Sequence, residues 1–148
     1  MGSFMFSGSL KVTIDDKGRL ALPTRYRGPL ADGYGKQLVV TMSPECTLIY
    51  PVAVFRGIVE RIPNITDRPT RMAMQRLFLG NALEQELDAQ SRVQIPVLLR
   101  ERMGLPNGGD AVLVGLTDHF ELWSEAQWTA QTDAAMGSLG AAFATLNI

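Results

Sequence analysis

The chain has 148 residues, of which 46% are hydrophobic and 20% are charged; these values are typical of one ordinary globular domain or two very small ones. The sequence contains no apolar run long enough to span a membrane and no signal-peptide pattern, so we expect a cytoplasmic protein without a membrane partner. The single cysteine, Cys46, excludes an internal disulfide and a cysteine-based metal site.

Charge is distributed unevenly along the chain. The net charge of −1 at pH 7 argues by itself against a nucleic-acid partner. However, Met1–Arg76 contains 11 Lys and Arg against 6 Asp and Glu, whereas Leu77–Ile148 contains 3 against 9. A local basic face is therefore compatible with a weakly acidic protein.

The first part of the sequence predicts two strands, a short helix, two more strands and a longer helix. Alternating apolar residues indicate strands, and a proline suits the first turn of a helix. The predicted strands are Leu10–Ile14, Arg19–Leu22, Leu38–Met42 and Thr47–Tyr50. We predict that the short helix begins at Pro23 and stops at Gly28-Pro29, and that the longer one begins at Pro51.

The turn between the first two predicted strands is unusually charged. Asp15 opens it with a carboxylate that can accept hydrogen bonds from backbone amides, and Gly18 closes it with ready access to positive φ. The surrounding segment, Lys11–Arg27, holds five cations against two anions. The basic residues in and after this turn are candidate contacts for an anionic partner: Lys17, Arg19, Arg25 and Arg27.

The rest of the sequence predicts a linking helix and a second set of elements. The linking helix runs to about Leu79 and stops at Gly80-Asn81. Another short helix begins at Pro96, and a Ser124–Gln127 capping box begins the last helix. From Asp133 the chain is rich in Ala and Gly, which is compatible with either a helix or a frayed end.

The two halves align without a gap at a constant offset of 73 positions, which indicates an internal repeat. Aligned pairs share residue type: Asp15 with Asp88, Arg19 with Arg92, Pro23 with Pro96, Arg27 with Arg100, and Phe55 with Trp128. We predict an α+β fold with a first unit at 5–65, a linking helix at 66–80, a second unit at 81–132 and a tail at 133–148. A unit this small buries too little surface to be stable alone, so we expect an intrachain pseudo-dimer with one shared core.

The Asp–x–x–x–Arg spacing occurs in both predicted turns. It is compatible with ordinary solvated turns, and also with a clamp in which Asp15 and Asp88 bond the turn amides and orient an arginine. A guanidinium held in this way matches phosphate groups and guanine edges. Arg19 and Arg92 could serve both the clamp and a binding surface.

Candidate catalytic groups are few. His119 is the only histidine and lies in a predicted turn, Cys46 has no cysteine neighbour, and the glycines of 104–109 lack the lysine and spacing of a phosphate loop. We therefore expect no catalytic residue, no metal, no cofactor and no small-molecule substrate.

Several stretches of the sequence resemble the MraZ family of bacterial transcriptional regulators. They are Met5–Gly8, Ile14–Pro23, Arg76–Gly80, Asp88–Pro96 and Phe120–Trp123. The resemblance implies two AbrB-like swapped-hairpin units that form a β-barrel, with short flanking helices and subunits closed into a ring. It also implies binding to short direct repeats of double-stranded DNA upstream of the division and cell-wall gene cluster that contains the regulator's own gene.

The resemblance also implies that Lys17, Arg19 and Arg92 contact DNA. Two residues depart from the family pattern. Ser7 stands where many members have arginine, which removes one cation, and Ser91 replaces the usual glycine of the second turn. A serine in the left-handed region costs roughly 1 kcal/mol more than glycine.

Our hypothesis from the sequence is a non-enzymatic, nucleoid-associated repressor that binds DNA as a homo-oligomer. The alternative is an oligomerising protein-interaction module of the antitoxin-like swapped-hairpin class, which the pI of about 5.8 also fits.

Overall fold

The structure is a computed structural model that describes residues 5–148. The strands are β1 (Ser9–Ile14), β2 (Arg19–Ala21), β3 (Gln37–Met42), β4 (Thr47–Pro51), β5 (Leu83–Glu86), β6 (Arg92–Gln94), β7 (Gly109–Leu116) and β8 (His119–Ser124). The helices are α1 (Thr24–Gly33), α2 (Val52–Arg61), α3 (Arg68–Ala73), α4 (Val97–Arg102) and α5 (Glu125–Leu146). A 3-10 turn (Ile62–Asn64) follows α2, and a π-helical turn (Met74–Leu79) follows α3.

These eight strands form one antiparallel sheet in the order β5-β3-β4-β8-β7-β1-β2-β6. The two outermost strands, β5 and β6, approach each other as a hairpin. There the side-chain amide of Gln85 bonds the backbone N–H of Gln94 at 2.7 Å and its C=O at 2.9 Å. The sheet therefore curls into a nearly closed barrel, and the predicted α+β fold of two units is confirmed.

The two units exchange strands within the barrel. β1 pairs with β7, and β5 pairs with β3. Leu10 faces Leu113 in the first pair and Leu83 faces Val40 in the second, so the two registers are the same after the offset of 73. β2 pairs with β6, and β4 with β8, across the pseudo-two-fold axis. Each unit thus supplies strands to the other, as expected of an intrachain pseudo-dimer.

The barrel interior is filled by aliphatic side chains from both units. Fully buried examples are Leu20, Leu22, Leu38, Val40, Ile49, Ile95, Leu113 and Leu122. Aromatic rings close one side, where Phe6 stacks on Phe120 with a centroid distance of 4.4 Å. A second cluster on the outside of the barrel packs Phe55 of α2 against Tyr50 and Phe78. Alternating burial along the strands produces these two apolar layers.

The end of α1 differs from the sequence prediction. The helix continues past Gly28-Pro29 to Gly33, so the predicted stop is wrong. Tyr26 and Leu30 are both buried on one helix face, and their burial outweighs the hydrogen bond that a mid-helix proline removes. Beyond Gly33 the chain turns at Gly35, which has a φ of 88° and donates its amide to the Leu30 carbonyl at 2.9 Å.

The tail, for which the sequence allowed either a helix or a frayed end, is part of the last helix, α5. Ser124 caps it by accepting a hydrogen bond from the Gln127 amide at 3.2 Å. The Gln127 side chain donates to the Arg102 carbonyl at 3.5 Å, so it braces α5 against α4. The tail from Asp133 to Leu146 is helical and exposed.

Within residues 5–148, no helix combines the length and the apolar composition needed to cross a membrane.

We expect Pro29→Ala to raise the free energy of unfolding by about 1–3 kcal/mol, because alanine restores a backbone donor inside α1 and removes the clash of the proline ring. Urea denaturation measures the change. Pro69→Ala is the matched control, since Pro69 lies in the first turn of α3, where proline is tolerated. An unchanged or lower stability of Pro29→Ala would contradict our account of this helix.

Candidate nucleic-acid interface

The first charged turn is held by a single carboxylate. Asp15 Oδ1 accepts hydrogen bonds from the backbone amides of Lys17 (3.0 Å) and Arg19 (2.8 Å). Its Oδ2 accepts from the Arg19 Nε at 2.8 Å. The same aspartate therefore fixes the backbone of the turn and the direction of the guanidinium.

The second charged turn repeats this geometry. Asp88 Oδ1 accepts from the amides of Gln90 (2.9 Å) and Arg92 (2.8 Å), and Oδ2 accepts from the Arg92 Nε at 2.7 Å. The Arg92 guanidinium also donates from Nη2 to Gln90 Oε1 at 3.2 Å. Both turns thus have the clamp geometry that the repeated spacing suggested.

The pKa values of both clamp carboxyls, those of Asp15 and Asp88, are lowered, which favours the ionised form. For Asp15, the backbone amide of Arg19 is the largest influence, and with the Arg19 guanidinium it holds the pKa below the ordinary 3.8. For Asp88, partial burial acts to raise the pKa, but the amide and guanidinium of Arg92 together outweigh it and lower the pKa. Hydrogen bonds to the charged form are the physical cause in each case.

The closing residue of each turn has a left-handed backbone. Gly18 has a φ of 82° and Ser91 a φ of 57°. Ser91 therefore adopts the conformation that the aligned glycine adopts, despite its side chain. The Ser91 amide still closes the turn by donating to the Asp88 carbonyl at 2.9 Å.

The two clamped arginines share one face of the barrel. In the β2–β6 pair Arg19 lies opposite Gln94, and Ala21 lies opposite Arg92. These four residues alternate with the buried Leu20 and Val93, so they all point outward. Arg19 and Arg92 are diagonal neighbours in this pair, and such neighbours lie about 7–8 Å apart, so their side chains leave the sheet from one small area.

Two of the remaining predicted contacts, Lys17 and Arg25, are exposed. Lys17 is exposed at the tip of the first turn. Arg25 is exposed on α1, and its guanidinium lies 5.4 Å from the Tyr26 ring centroid and beside Gly8. A cation therefore lies beside the residue that follows Ser7.

Arg27 has a structural contact of its own. Its Nε donates to the Leu22 carbonyl at 2.8 Å, and its repeat equivalent, Arg100, donates to the Ile95 carbonyl at 2.9 Å. Both arginines thus brace the corner between a strand and the following helix. Arg100 is buried, whereas Arg27 remains exposed and accessible to a ligand.

Sequence reasoning missed Gln94. Its side-chain Nε2 donates to the Lys17 carbonyl at 2.8 Å, so it joins the second unit to the tip of the first turn. The only signal was a departure from the repeat, because the aligned residue in the first unit is Ala21.

The other polar candidates form no reactive centre. His119 bonds Asp118 at 2.8 Å and stacks on Tyr50. Cys46 is buried, and this burial raises the pKa of its thiol to about 12, so it stays protonated. Among residues 5–148, no group of three His, Cys, Asp or Glu side chains is arranged to hold a metal ion.

Residues 5–76 and 78–146 match a protein family described as "MraZ protein, putative antitoxin-like". The chain belongs to the MraZ family. The two matched segments correspond to the two halves of the internal repeat, so the MraZ pattern covers both clamped turns.

Curated relatives of MraZ type span nearly the same length. The chain is 41% identical to a protein of Shewanella amazonensis over 134 residues, covering 88% of this chain and 87% of the relative. It is 39% identical to a Nitrosomonas eutropha protein over 133 residues, with 88% of each covered. For an Acidovorax sp. protein the identity is 39% over 133 residues, covering 89% of this chain and 91% of the relative. All three are named Transcriptional regulator MraZ.

We expect the carboxyl groups of Asp15 and Asp88 to titrate below pH 3.8 in the folded protein, as measured by carbon-13 NMR. Because their folded pKa values are lowered, the clamps stabilise the fold above the ordinary pKa, and this contribution is lost as the pH falls through the lowered values. In Arg19→Gln the Asp15 midpoint should rise part of the way, because the backbone amide bond remains, while Asp88 serves as the internal control. Equal movement of both midpoints would argue against separate clamps.

Proposed function

We propose that this protein is a sequence-specific DNA-binding transcriptional repressor whose reading surface is built around the two clamped turns. Lys17, Arg19 and Arg92 are the principal DNA contacts, and Arg25 and Arg27 add further ones. The observation that carries the proposal is the placement of Arg19 and Arg92 on one outward face of the β2–β6 pair.

The clamp prepares the arginines for phosphate or base contacts. In each arginine the Nε is engaged by an aspartate, which sets the plane of the guanidinium. The Nη groups then form a fork of donors whose direction is fixed before DNA arrives, and this lowers the ordering cost of binding. The side chains of Arg19 and Arg92 remain 32% and 28% exposed, so DNA can reach them.

One chain presents few DNA contacts, so we propose that identical subunits act together as a closed ring on short direct repeats. Linked sites gain affinity through effective concentration, provided that the spacing of the repeats matches the subunits and the DNA or the ring deforms to fit. Self-association is supported by an exposed apolar stripe on α5. Its members recur at helical spacing: Met136, Leu139, Phe143 and Leu146.

The proposed target is suggested by the resemblance. The relatives are named as transcriptional regulators, and the resemblance implies action upstream of the division and cell-wall gene cluster that includes the regulator's own gene. We propose that this chain acts there, in the cytoplasm and on the nucleoid. The excess of acidic residues after Leu77 keeps the rest of the surface from binding DNA indiscriminately.

We infer that this activity requires no catalysis, cofactor or small-molecule substrate. The relatives are named for regulation, and the buried, protonated Cys46 is unsuited to nucleophilic chemistry.

A second candidate function is an oligomerising protein-interaction module. The antitoxin-like description of the family and the apolar stripe on α5 favour it. Salt dependence separates the two functions, because phosphate contacts give a log–log slope of about −0.9 per phosphate. A module that binds only proteins would leave DNA from upstream of the chain's own gene unbound at any salt concentration.

We expect the double variant Lys17→Ala/Arg19→Ala to weaken binding to this DNA by at least about thirtyfold, since it removes about 2 kcal/mol or more of charge-assisted contact. Fluorescence anisotropy over a salt series would also show a shallower slope. Arg61→Ala is the matched control, because Arg61 is exposed on α2 and bonds only the Gly57 carbonyl among the described residues. Undiminished binding by the double variant would refute the assignment of the site.

We expect Leu139→Glu/Phe143→Glu to lower the oligomer mass in size-exclusion chromatography with light scattering. Two carboxylates on the apolar stripe would have to be desolvated at an interface. Ala141→Glu adds a charge to the opposite face of α5 and should leave the mass unchanged. Retention of the full mass by the double variant would exclude α5 from the contact between subunits.

A further inference from the structure

The first clamped turn has a cross-unit contact that the second turn does not have. The Gln94 side chain donates from Nε2 to the Lys17 carbonyl at 2.8 Å, and so reaches the first turn from the second unit. Gln90 is the equivalent of Lys17 in the second turn, and Ala21 is the equivalent of Gln94. Alanine has no donor, so the second turn lacks the same cross-unit bond.

Gln94 is itself firmly placed. Its backbone N–H and C=O are both bonded by the Gln85 side chain, at 2.7 and 2.9 Å. The next residue, Ile95, donates its amide to the Gly18 carbonyl at 2.7 Å. The first turn is therefore tied to the second unit at two successive carbonyls, those of Lys17 and Gly18. The second turn has only the equivalent of the Gly18 bond, from the Leu22 amide to the Ser91 carbonyl at 2.9 Å.

The Gln94 side chain fills part of the space beside Gly18. A Cβ atom at Gly18 would lie 2.7 Å from Gln94 Nε2 and 2.7 Å from Arg100 Nε, closer than unbonded atoms can approach. Glycine thus leaves room for the Gln94 and Arg100 side chains, which a Cβ atom would displace, and it also suits the positive φ. In the second turn the position of Gln94 is occupied by Ala21, and Ser91 is accommodated.

We propose that Gln94 is a positioning residue that fixes the first turn, and with it Lys17 and Arg19, for contact with DNA. The proposal rests on the function proposed above. The two turns are then unequal. The first is a reading element tied to the opposite unit by two bonds, whereas the second is held by its own Asp88 clamp and by one such bond, from Leu22 to Ser91, and adapts more readily to the DNA.

The test uses Gln94→Met, which keeps the length of the side chain and removes the donor, and Gln94→Ala, which copies Ala21. We expect each variant to raise the Kd for the upstream DNA about fivefold, the equivalent of one net hydrogen bond. The slope of affinity against salt should stay the same, because the number of phosphate contacts is unchanged. Nitrogen-15 relaxation should show lower order for the Lys17 and Gly18 amides, with the Gln90 and Ser91 amides unaffected.

Gln127→Met is the matched control, because Gln127 also donates an amide to a backbone carbonyl but lies away from both turns. It should alter neither the Kd nor the order of the first turn. Wild-type Kd and wild-type order at Lys17 in both Gln94 variants would overturn the proposal, as would equal loss of order in both turns. Failure of the wild-type protein to bind DNA would refute the proposed function instead, and the relaxation data would still decide whether Gln94 fixes the turn.

Discussion

The geometry of the candidate nucleic-acid interface depends on one aspartate carboxylate in each charged turn. This carboxylate accepts hydrogen bonds from two backbone amides and one guanidinium. An exposed ion pair alone contributes little, because water screens it and two long side chains must be ordered. Here the aspartate is already fixed by the turn amides, so holding the arginine costs little further entropy. The clamp therefore matters less for the stability of the fold than for the direction in which a positive charge points.

The exchange of strands converts two separate turns into one surface. Because β2 and β6 pair directly, the starts of the two strands are only a few residues apart on the barrel wall. The apolar side chains between them point inward and are fully buried, which prevents the register from slipping and turning the arginines inside. Core packing and the placement of charge are thus fixed by the same short strand pair.

The sequence predicted the fold well because the repeat doubled every weak signal. Strand alternation, the proline helix starts and the two acid–arginine turns each occur twice, and all were recovered in the structure. The stop at Gly28-Pro29 was wrong because burial of Leu30 overrode a local rule. Gln94 could not be predicted, since its bond to Lys17 joins residues 77 positions apart and a glutamine has no distinctive pattern. The hydrogen bond from Arg27 to the Leu22 carbonyl likewise depends on tertiary packing, which the spacing of residues in the sequence does not reveal.

The exchanged strands also bear on how such a chain can change over time. A single half could satisfy its strands only by finding a second, identical copy, and any substitution would then appear on both sides at once. When the two halves are joined in one polypeptide, a substitution can occur in one half without occurring in the other. One unit can then have a glutamine where the other has an alanine, as at Gln94 and Ala21. The two units of a symmetric fold can therefore become specialised for different roles.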